Sequence, residues 1–191
     1  MSSGRWIDYA GRLEKAGADA LELNVFVIPV AMKMGHHFTG MANIFKALSD
    51  EGADWLVLFN RFYRPDVDIE NFRVIPAKVF SVPQEITLPL QWIAILSPML
   101  KCDLAATTGV HNSGGLIKQL LVEAKAVQVC SALYQNGIGH IRTLISCLQN
   151  WMERHNFNRI EDFRGMLSQE NIENPEVFHR SQYIKALVGI A

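Results

Sequence analysis

The sequence has little of what nucleic-acid or membrane partners require. Charged residues make up only 19% of its 191 residues, the formal net charge is -1, and the lysines and arginines are scattered. Without a basic patch there is no surface to hold a phosphate backbone, so nucleic acid is excluded as an expected partner. The longest apolar runs are broken by Asn24, Pro29 or Lys33, well short of the ~20 residues of a membrane span.

Cysteine is also scarce. The three cysteines are an odd number without close metal-ligand spacing, which favours reduced thiols over a disulfide framework. No signal peptide is expected, because the stretch from Trp6 to Lys15 is amphipathic and charged. The sequence therefore predicts a cytoplasmic protein. With 49% hydrophobic residues, the chain has enough apolar material for the core of one domain.

An internal echo is the most informative feature of the chain. The segment LEKAGADALEL, which begins at Leu13, recurs 35 residues later as LSDEGADWLVL, which begins at Leu48. A period of this length indicates a repeated supersecondary unit. In each copy an amphipathic stretch ends at Gly17 or Gly52, where glycine suits the left-handed position after a helix, and a short apolar run follows.

A helix, a Gly-Ala-Asp corner and a buried strand make one αβ turn of a parallel sheet. Near-continuous apolar runs predict strands at Ala20 to Val27, Ile28 to Met34, Trp55 to Phe59, Leu104 to Thr107 and Ala126 to Val129. Helical spacing of apolar residues predicts helices at Leu116 to Leu121 and at Ile141 to Met152.

Repeated βα units form either an open doubly wound sheet or a closed barrel. The chain lacks the GxGxxG turn of the open sheet. Instead, polar residues follow successive strands, namely Asn24, Lys33, Asn60, Thr107 and Ser131. Because a barrel carries its chemistry at the carboxyl ends of its strands, this pattern favours the barrel.

The junction between Val27 and Ile28 does not fit a complete barrel. One predicted strand runs directly into the next there, whereas neighbouring parallel strands need a crossover of about ten or more residues. We therefore expect a crossover to be missing between residues 27 and 28.

Five segments carry a resemblance to a known family. They are ALELNVFV, IPVAMKMG, WLVLFNRFYRPDVDIE, AATTGVH and VQVCSALYQNG. Their order and spacing resemble those of dihydroorotate dehydrogenase-like flavoproteins, over essentially the whole chain. The resemblance implies a TIM (β/α)8 barrel that is incomplete here, from about strand 4 to strand 8. Residues 1–191 are then the C-terminal part of one barrel domain that binds flavin mononucleotide (FMN).

Three residues match positions beside the flavin ring in that family. Asn24, after the fourth strand, resembles an asparagine that faces flavin and substrate. Lys33, in the fifth strand, resembles the lysine against the flavin ring, although pairing with Glu22 is the alternative. Asn60, after the sixth strand, resembles an amide ligand of cofactor and substrate ring, although it could instead cap a turn.

The resemblance implies a phosphate site after the seventh and eighth strands. Thr107, Thr108, Gly109 and Val110 take the place of a Thr-Gly-Gly segment, and Cys130 with Ser131 takes that of a Gly-Thr pair. Thr108 and Cys130 replace glycines, which weakens the expected affinity, and a plain strand-end turn is the alternative. Ser81 adds a hydroxyl to the cofactor or is simply a solvated loop serine.

The catalytic base of the family is missing. Relatives that oxidise dihydroorotate carry Cys or Ser three positions after the Asn24 equivalent, where this chain has Val27, so no catalytic residue is assigned. Arg61 also replaces a small hydroxyl residue and adds charge where the substrate is expected. The resemblance thus implies an FMN-dependent oxidoreductase of pyrimidine biosynthesis. The alternative is a catalytically inactive, flavin-binding relative or a degenerate barrel fragment. A small-molecule substrate is expected, and a homodimer is left open.

The histidines do not predict a metal site. His36 and His37 are adjacent, and neighbouring side chains are expected to point to opposite sides. His111, His140, His155 and His179 are expected to lie at the surface or to cap helices.

Overall fold

A computed structural model describes residues 31–62 and 64–179. Its centre is a four-stranded parallel sheet in the order β1-β2-β5-β6. These strands are β1 (Ala31–Met34), β2 (Trp55–Leu58), β5 (Asp103–Ala106) and β6 (Ala126–Val127). The predicted strands in this part of the chain are therefore confirmed, with β6 ending two residues early. The predicted strand Ala20 to Val27 and the junction after Val27 lie outside the described residues.

Each strand is followed by a helical crossover or by the closing helices. The helices are α1 (Met41–Asp50), α2 (Thr87–Leu96), α3 (Ser113–Leu121), α4 (Ser131–Asn136) and α5 (His140–Arg154). Short 3-10 helices span Pro83–Ile86, Ile160–Asp162 and Pro175–Phe178. A separate hairpin, β3 (Pro65–Asp68) with β4 (Arg73–Pro76), interrupts the crossover from β2 to α2. Along the described ranges, no helix is both long and apolar enough to cross a membrane.

The corner between α1 and β2 is the one that the echo predicts. Gly52 has a φ of 99°, which glycine adopts without the steric penalty of a β-carbon. The amide of Ala53 donates to the carbonyl of Leu48, which closes the helix end at 3.1 Å. The chain therefore leaves α1 and enters β2 as one αβ unit of a parallel sheet.

One face of the sheet forms the main core. Leu56, Leu58 and Leu104 pack there against Phe45 of α1 and Ile93 of α2, and each is almost completely buried. Because the side chains of a strand alternate, the other face carries Lys33, Val57 and Ala105, which lie side by side in the strand register. A smaller cluster joins α3 and α5 to Phe163 in the C-terminal segment.

Candidate functional site

The carboxyl ends of the parallel strands meet along one edge of the sheet. Backbone hydrogen bonds continue past the strand ends: Asn60 donates to Met34 at 2.7 Å, and Thr107 donates to Leu58 at 2.8 Å. Gln128 donates in the same way to the carbonyl of Ala106. The residues that follow β1, β2, β5 and β6 therefore lie side by side, as the sequence predicts.

Lys33 lies on β1, on the sheet face opposite to α1 and α2. Its side chain is exposed, and its strand neighbours in register are Val57 and then Ala105. Within residues 31–62 and 64–179, no carboxylate pairs with its ammonium group. Glu22, the alternative partner, lies outside the described residues, as do Asn24 and Val27.

Asn60 is half-buried at the end of β2. Its backbone amide is bonded to Met34, and its side chain forms no hydrogen bond with another described residue, so no turn-capping bond accompanies it. Its side chain lines a cavity of about 140 Å³ together with Phe59, His36 and Thr108. An amide in this position has both a donor and an acceptor free for a ligand.

Arg61, which follows Asn60, holds a loop with its side chain. Its Nε donates to a carboxylate oxygen of Glu85 at 3.0 Å, and its two terminal nitrogens donate to the carbonyls of Val79 and Lys78 at 2.7 Å each. The charge of Arg61 is thus compensated. It fixes the loop after the β3–β4 hairpin instead of standing as a free cation.

The turn after β5 keeps the backbone of a glycine pair although its first residue is threonine. Thr108 and Gly109 have φ of 75° and 78°, and the hydroxyl of Thr108 donates to the carbonyl of Phe59 at 3.0 Å. A β-carbon on Gly109 would lie 2.3 Å from the backbone nitrogen of Ile86. Gly109 is therefore required by close packing against the 3-10 helix.

Ser81 connects this edge to the last strand. It is only 6% exposed, which rules out the solvated loop serine as an interpretation. Its hydroxyl lies 2.9 Å from Nε2 of His111, and its amide donates to the hydroxyl of Ser131 at 3.0 Å. Nε2 of His140 in turn lies 3.0 Å from the carbonyl of His111.

The sequence predicts that His111 lies at the surface or caps a helix, and this prediction misses its role in linking the loops. It is half-buried and follows the Thr108–Gly109 turn by two residues. Its place just after that turn was the only sign in the sequence that it could belong to the site. The sequence does not reveal its contact with Ser81, because the two residues are 30 positions apart in the chain. Cys130, by contrast, is an exposed thiol just before α4.

The two adjacent histidines lie together, contrary to the expectation that they point to opposite sides. The ring centroids of His36 and His37 are 4.0 Å apart, and His36 also meets the ring of Phe59 edge-on. Burial lowers the pKa of His36, and the nearby His37 and Arg64 lower it further. No group of three or more potential metal ligands occurs in the part of the chain that the structure describes.

Comparison with known proteins finds a dihydropyrimidine dehydrogenase and several dihydroorotate dehydrogenases. The chain is 22% identical over 208 residues to the chloroplastic NADP(+)-dependent dihydropyrimidine dehydrogenase of Arabidopsis thaliana, covering 84% of this chain and 48% of that protein. It is 25% identical over 142 residues to the catalytic subunit of NAD(+)-dependent dihydroorotate dehydrogenase B from Thermoplasma volcanium, covering 73% of this chain and 46% of the relative. The chain is a distant relative of the dihydroorotate dehydrogenases.

Solved structures give the same fold. The dihydroorotate dehydrogenase of Eimeria tenella in complex with ferulenol superposes with a TM-score of 0.61 at 16% identity, over 85% of this chain and 47% of that one. The chain thus has the fold of an incomplete (β/α) barrel, as its sequence predicts. It spans about half the length of the curated relatives it matches. No protein-family model matches it.

Proposed function

We propose that this chain is the C-terminal part of an FMN-dependent oxidoreductase whose substrate is a dihydropyrimidine of the dihydroorotate type. The observation that carries the proposal is the strand-end edge. Lys33, Asn60 and the linked pair Ser81 and Ser131 all belong to segments at or beside that edge. The proposed reaction, oxidation of a dihydropyrimidine, is taken from the names of the relatives given above.

The residues present fit a flavin phosphate after β5 and β6. The amide of Ser81 donates to the hydroxyl of Ser131 there, and the backbone of Thr108 and Gly109 retains a conformation typical of glycine. Cys130, in place of a family glycine, stands exposed at the rim. Hydroxyl groups and a left-handed backbone turn are the kinds of groups that bind phosphate at the mouth of a barrel.

The ring end of the cofactor is proposed to lie near Lys33 and Asn60. When bound, FMN supplies the hydride-accepting chemistry of the reaction. A fixed ammonium group beside it favours negative charge on the reduced ring, and Lys33 is exposed on the open sheet face with no described carboxylate to neutralise it. Asn60 is proposed to hold the substrate ring, because its amide is free and half-buried beside the cavity.

Turnover of dihydroorotate is proposed to be very slow or absent. Val27 stands at the position of the family base, and valine has no proton-transfer chemistry. General-base catalysis contributes about 10²–10⁴-fold, so its loss removes roughly 3–5 kcal/mol of transition-state stabilisation. A catalytically inactive, flavin-binding relative is the alternative.

The native protein is proposed to be longer than this chain between residues 27 and 28. A loop plus a helix of roughly 25 residues would supply the crossover that parallel strands need. The homodimer stays open, and the cytoplasmic location stays a prediction.

Anaerobic mixing tests the proposed activity. We expect purified protein to carry a yellow chromophore that is released as FMN, and dihydroorotate to bleach it slowly or not at all. Bleaching within seconds would contradict the assignment of Val27, because another residue would then supply the base. A colourless protein that takes up no FMN would contradict the cofactor proposal and favour a degenerate barrel fragment.

A second substrate is supported by one comparison. The match to dihydropyrimidine dehydrogenase covers 84% of this chain, more than the 73% covered by the Thermoplasma relative. Dihydrouracil has the same ring as dihydroorotate without its carboxylate. Bleaching by dihydrouracil but not by dihydroorotate would favour this second candidate.

A further inference from the structure

The cavity beside Asn60 is lined by histidine, arginine and aromatic side chains that the sequence does not assign to the flavin site. It lies among the segments that follow β1, β2 and β5 and the start of α2, and it has a volume of about 140 Å³. Its wall includes His36, Arg64 and two aromatic rings, those of Phe59 and Phe62. A volume of this size, with flat side chains in its wall, suits a small planar molecule.

The surroundings of Nδ1 of His36 determine which ring nitrogen carries the proton. Its Nδ1 is sealed from solvent and has no hydrogen-bond partner. A proton on Nδ1 would be a buried donor without an acceptor, which is among the rarest groups in proteins. The neutral ring therefore carries its proton on Nε2. The ring is only partly buried, and it lines the cavity.

The charges around the cavity favour an anion. Arg61 also lines it, but its charge is compensated by Glu85 at 3.0 Å. The guanidinium group of Arg64 has no such partner among the residues 31–62 and 64–179, so one positive charge remains. Burial lowers the pKa of His36, and the charges of His37 and Arg64 lower it further, which disfavours a charged imidazole and leaves Arg64 as the cation.

We propose that this cavity binds the carboxylate of a small planar ring compound, with Nε2–H of His36 as the donor and Arg64 as the cation. The inference deepens the proposed function, on which it rests, since it places the charged group of a dihydroorotate-type substrate next to Asn60. It also discriminates between the two candidate substrates, because dihydrouracil has no carboxylate for this pair to bind.

Binding of orotate and uracil to the full chain tests the inference, since these rings differ by one carboxylate. We expect His36→Leu to weaken orotate binding by about 10-fold, the equivalent of one charge-assisted hydrogen bond. We expect uracil binding to change by less than about twofold. His36→Gln should keep orotate binding within about threefold, because the glutamine amide can donate from a similar position.

The neighbouring histidine provides a matched control. His37 does not line the cavity, and its ring lies against Phe62. His37→Leu should weaken orotate binding much less than His36→Leu does, because His37 affects only the protonation of His36. Nitrogen-15 spectra should show the His36 proton on Nε2. Equal losses from His36→Leu and His37→Leu, equal losses for orotate and uracil, or a proton on Nδ1 would overturn the inference.

Flavin content separates this inference from the proposed function. If the protein lacks FMN but its orotate binding still depends on His36, the inference stands and the cofactor proposal fails. If FMN is bound and orotate binding ignores His36, the inference fails alone. If wild-type protein binds FMN but not orotate, the inference and the dihydroorotate-type substrate fail together, and the cofactor proposal stands.

Discussion

Glu123 has the same left-handed backbone as Gly52, at the equivalent corner between a helix and the following strand. Their φ angles are 88° and 99°. In both corners the next amide reaches back five residues, from Ala124 to Gln119 and from Ala53 to Leu48. The corner before β6 therefore has the same backbone geometry as the corner before β2, although Glu123 stands where the other corner has Gly52.

Glu123→Gly should therefore stabilise the protein. A left-handed backbone costs a non-glycine residue about 1–2 kcal/mol. The Glu123–Lys125 ion pair, at 2.8 Å and partly exposed, returns about 0.2–1 kcal/mol. We expect a net gain of about 0.5–1 kcal/mol in the free energy of unfolding, measured by urea denaturation. Glu51→Gly is the control, since Glu51 has a φ of -76° and should not gain. A loss of stability in Glu123→Gly would contradict this account.

Gly109→Ala should destabilise the protein by about 2 kcal/mol or more, because the new methyl group would overlap the backbone at Ile86. Thermal unfolding measures the effect. Gly139→Ala is a suitable control, since a β-carbon there meets no atom within 4 Å and its φ is -60°. Equal effects of the two substitutions would show that the clash is relieved by movement of the 3-10 helix.

Arg61→Lys should loosen the loop that contains Lys78, Val79 and Glu85. Lysine cannot hold two carbonyls and a carboxylate in one plane, so about 1 kcal/mol of stability should be lost. Hydrogen exchange should rise in residues 77–86 and stay unchanged in α5. Unchanged exchange would mean that other contacts hold the loop.

Lys33→Ala in the complete protein should lower the midpoint potential of bound flavin or its occupancy, because the reduced ring loses its nearest cation. Lys46→Ala removes an exposed lysine that pairs with Asp50 on α1, and it should change neither quantity. Potentiometric titration of both variants gives the comparison. An unchanged potential and occupancy in Lys33→Ala would remove this lysine from the site.

Acid should open the tip of the β3–β4 hairpin. Hydrogen bonds from the side chain and backbone of Asn71 hold the pKa of Asp68 below its ordinary value of 3.8. A lowered carboxyl pKa means that its stabilisation is complete above 3.8 and is lost as pH falls through the folded value. The amide resonance of Asn71 should report this transition, and Asp68→Asn should abolish it. A pKa of Asp68 at or above 3.8 would contradict the assignment.

The elements that periodicity reveals were predictable. The corner at Gly52, the strand before Asn60 and the apolar stripe with Leu144 and Leu148 in α5 all follow from local spacing. Helix α2 was missed, because it is apolar nearly all round and has Pro89 in its first turn, where proline is tolerated. The hairpin was also missed, although Asp68 and Asn71 are typical turn residues.

The candidate site was predictable only in part. The strand-end positions of Lys33 and Asn60 follow from topology, which the sequence supports. The contact of Ser81 with His111 and the ion pair of Arg61 with Glu85 join loops 30 and 24 residues apart. Such pairings depend on how the crossovers pack, which no local pattern encodes.

The hydrogen bonds of Ser81 make three separate loops a single cooperative unit. Ser81, His111 and Ser131 follow three different strands, and the Ser81 loop is bonded to each of the other two. Opening of the Ser81 loop removes a restraint from both of the others, so the free energy of opening is shared. The rim after β2, β5 and β6 therefore orders or melts as one body, and a ligand that binds one loop stabilises all three.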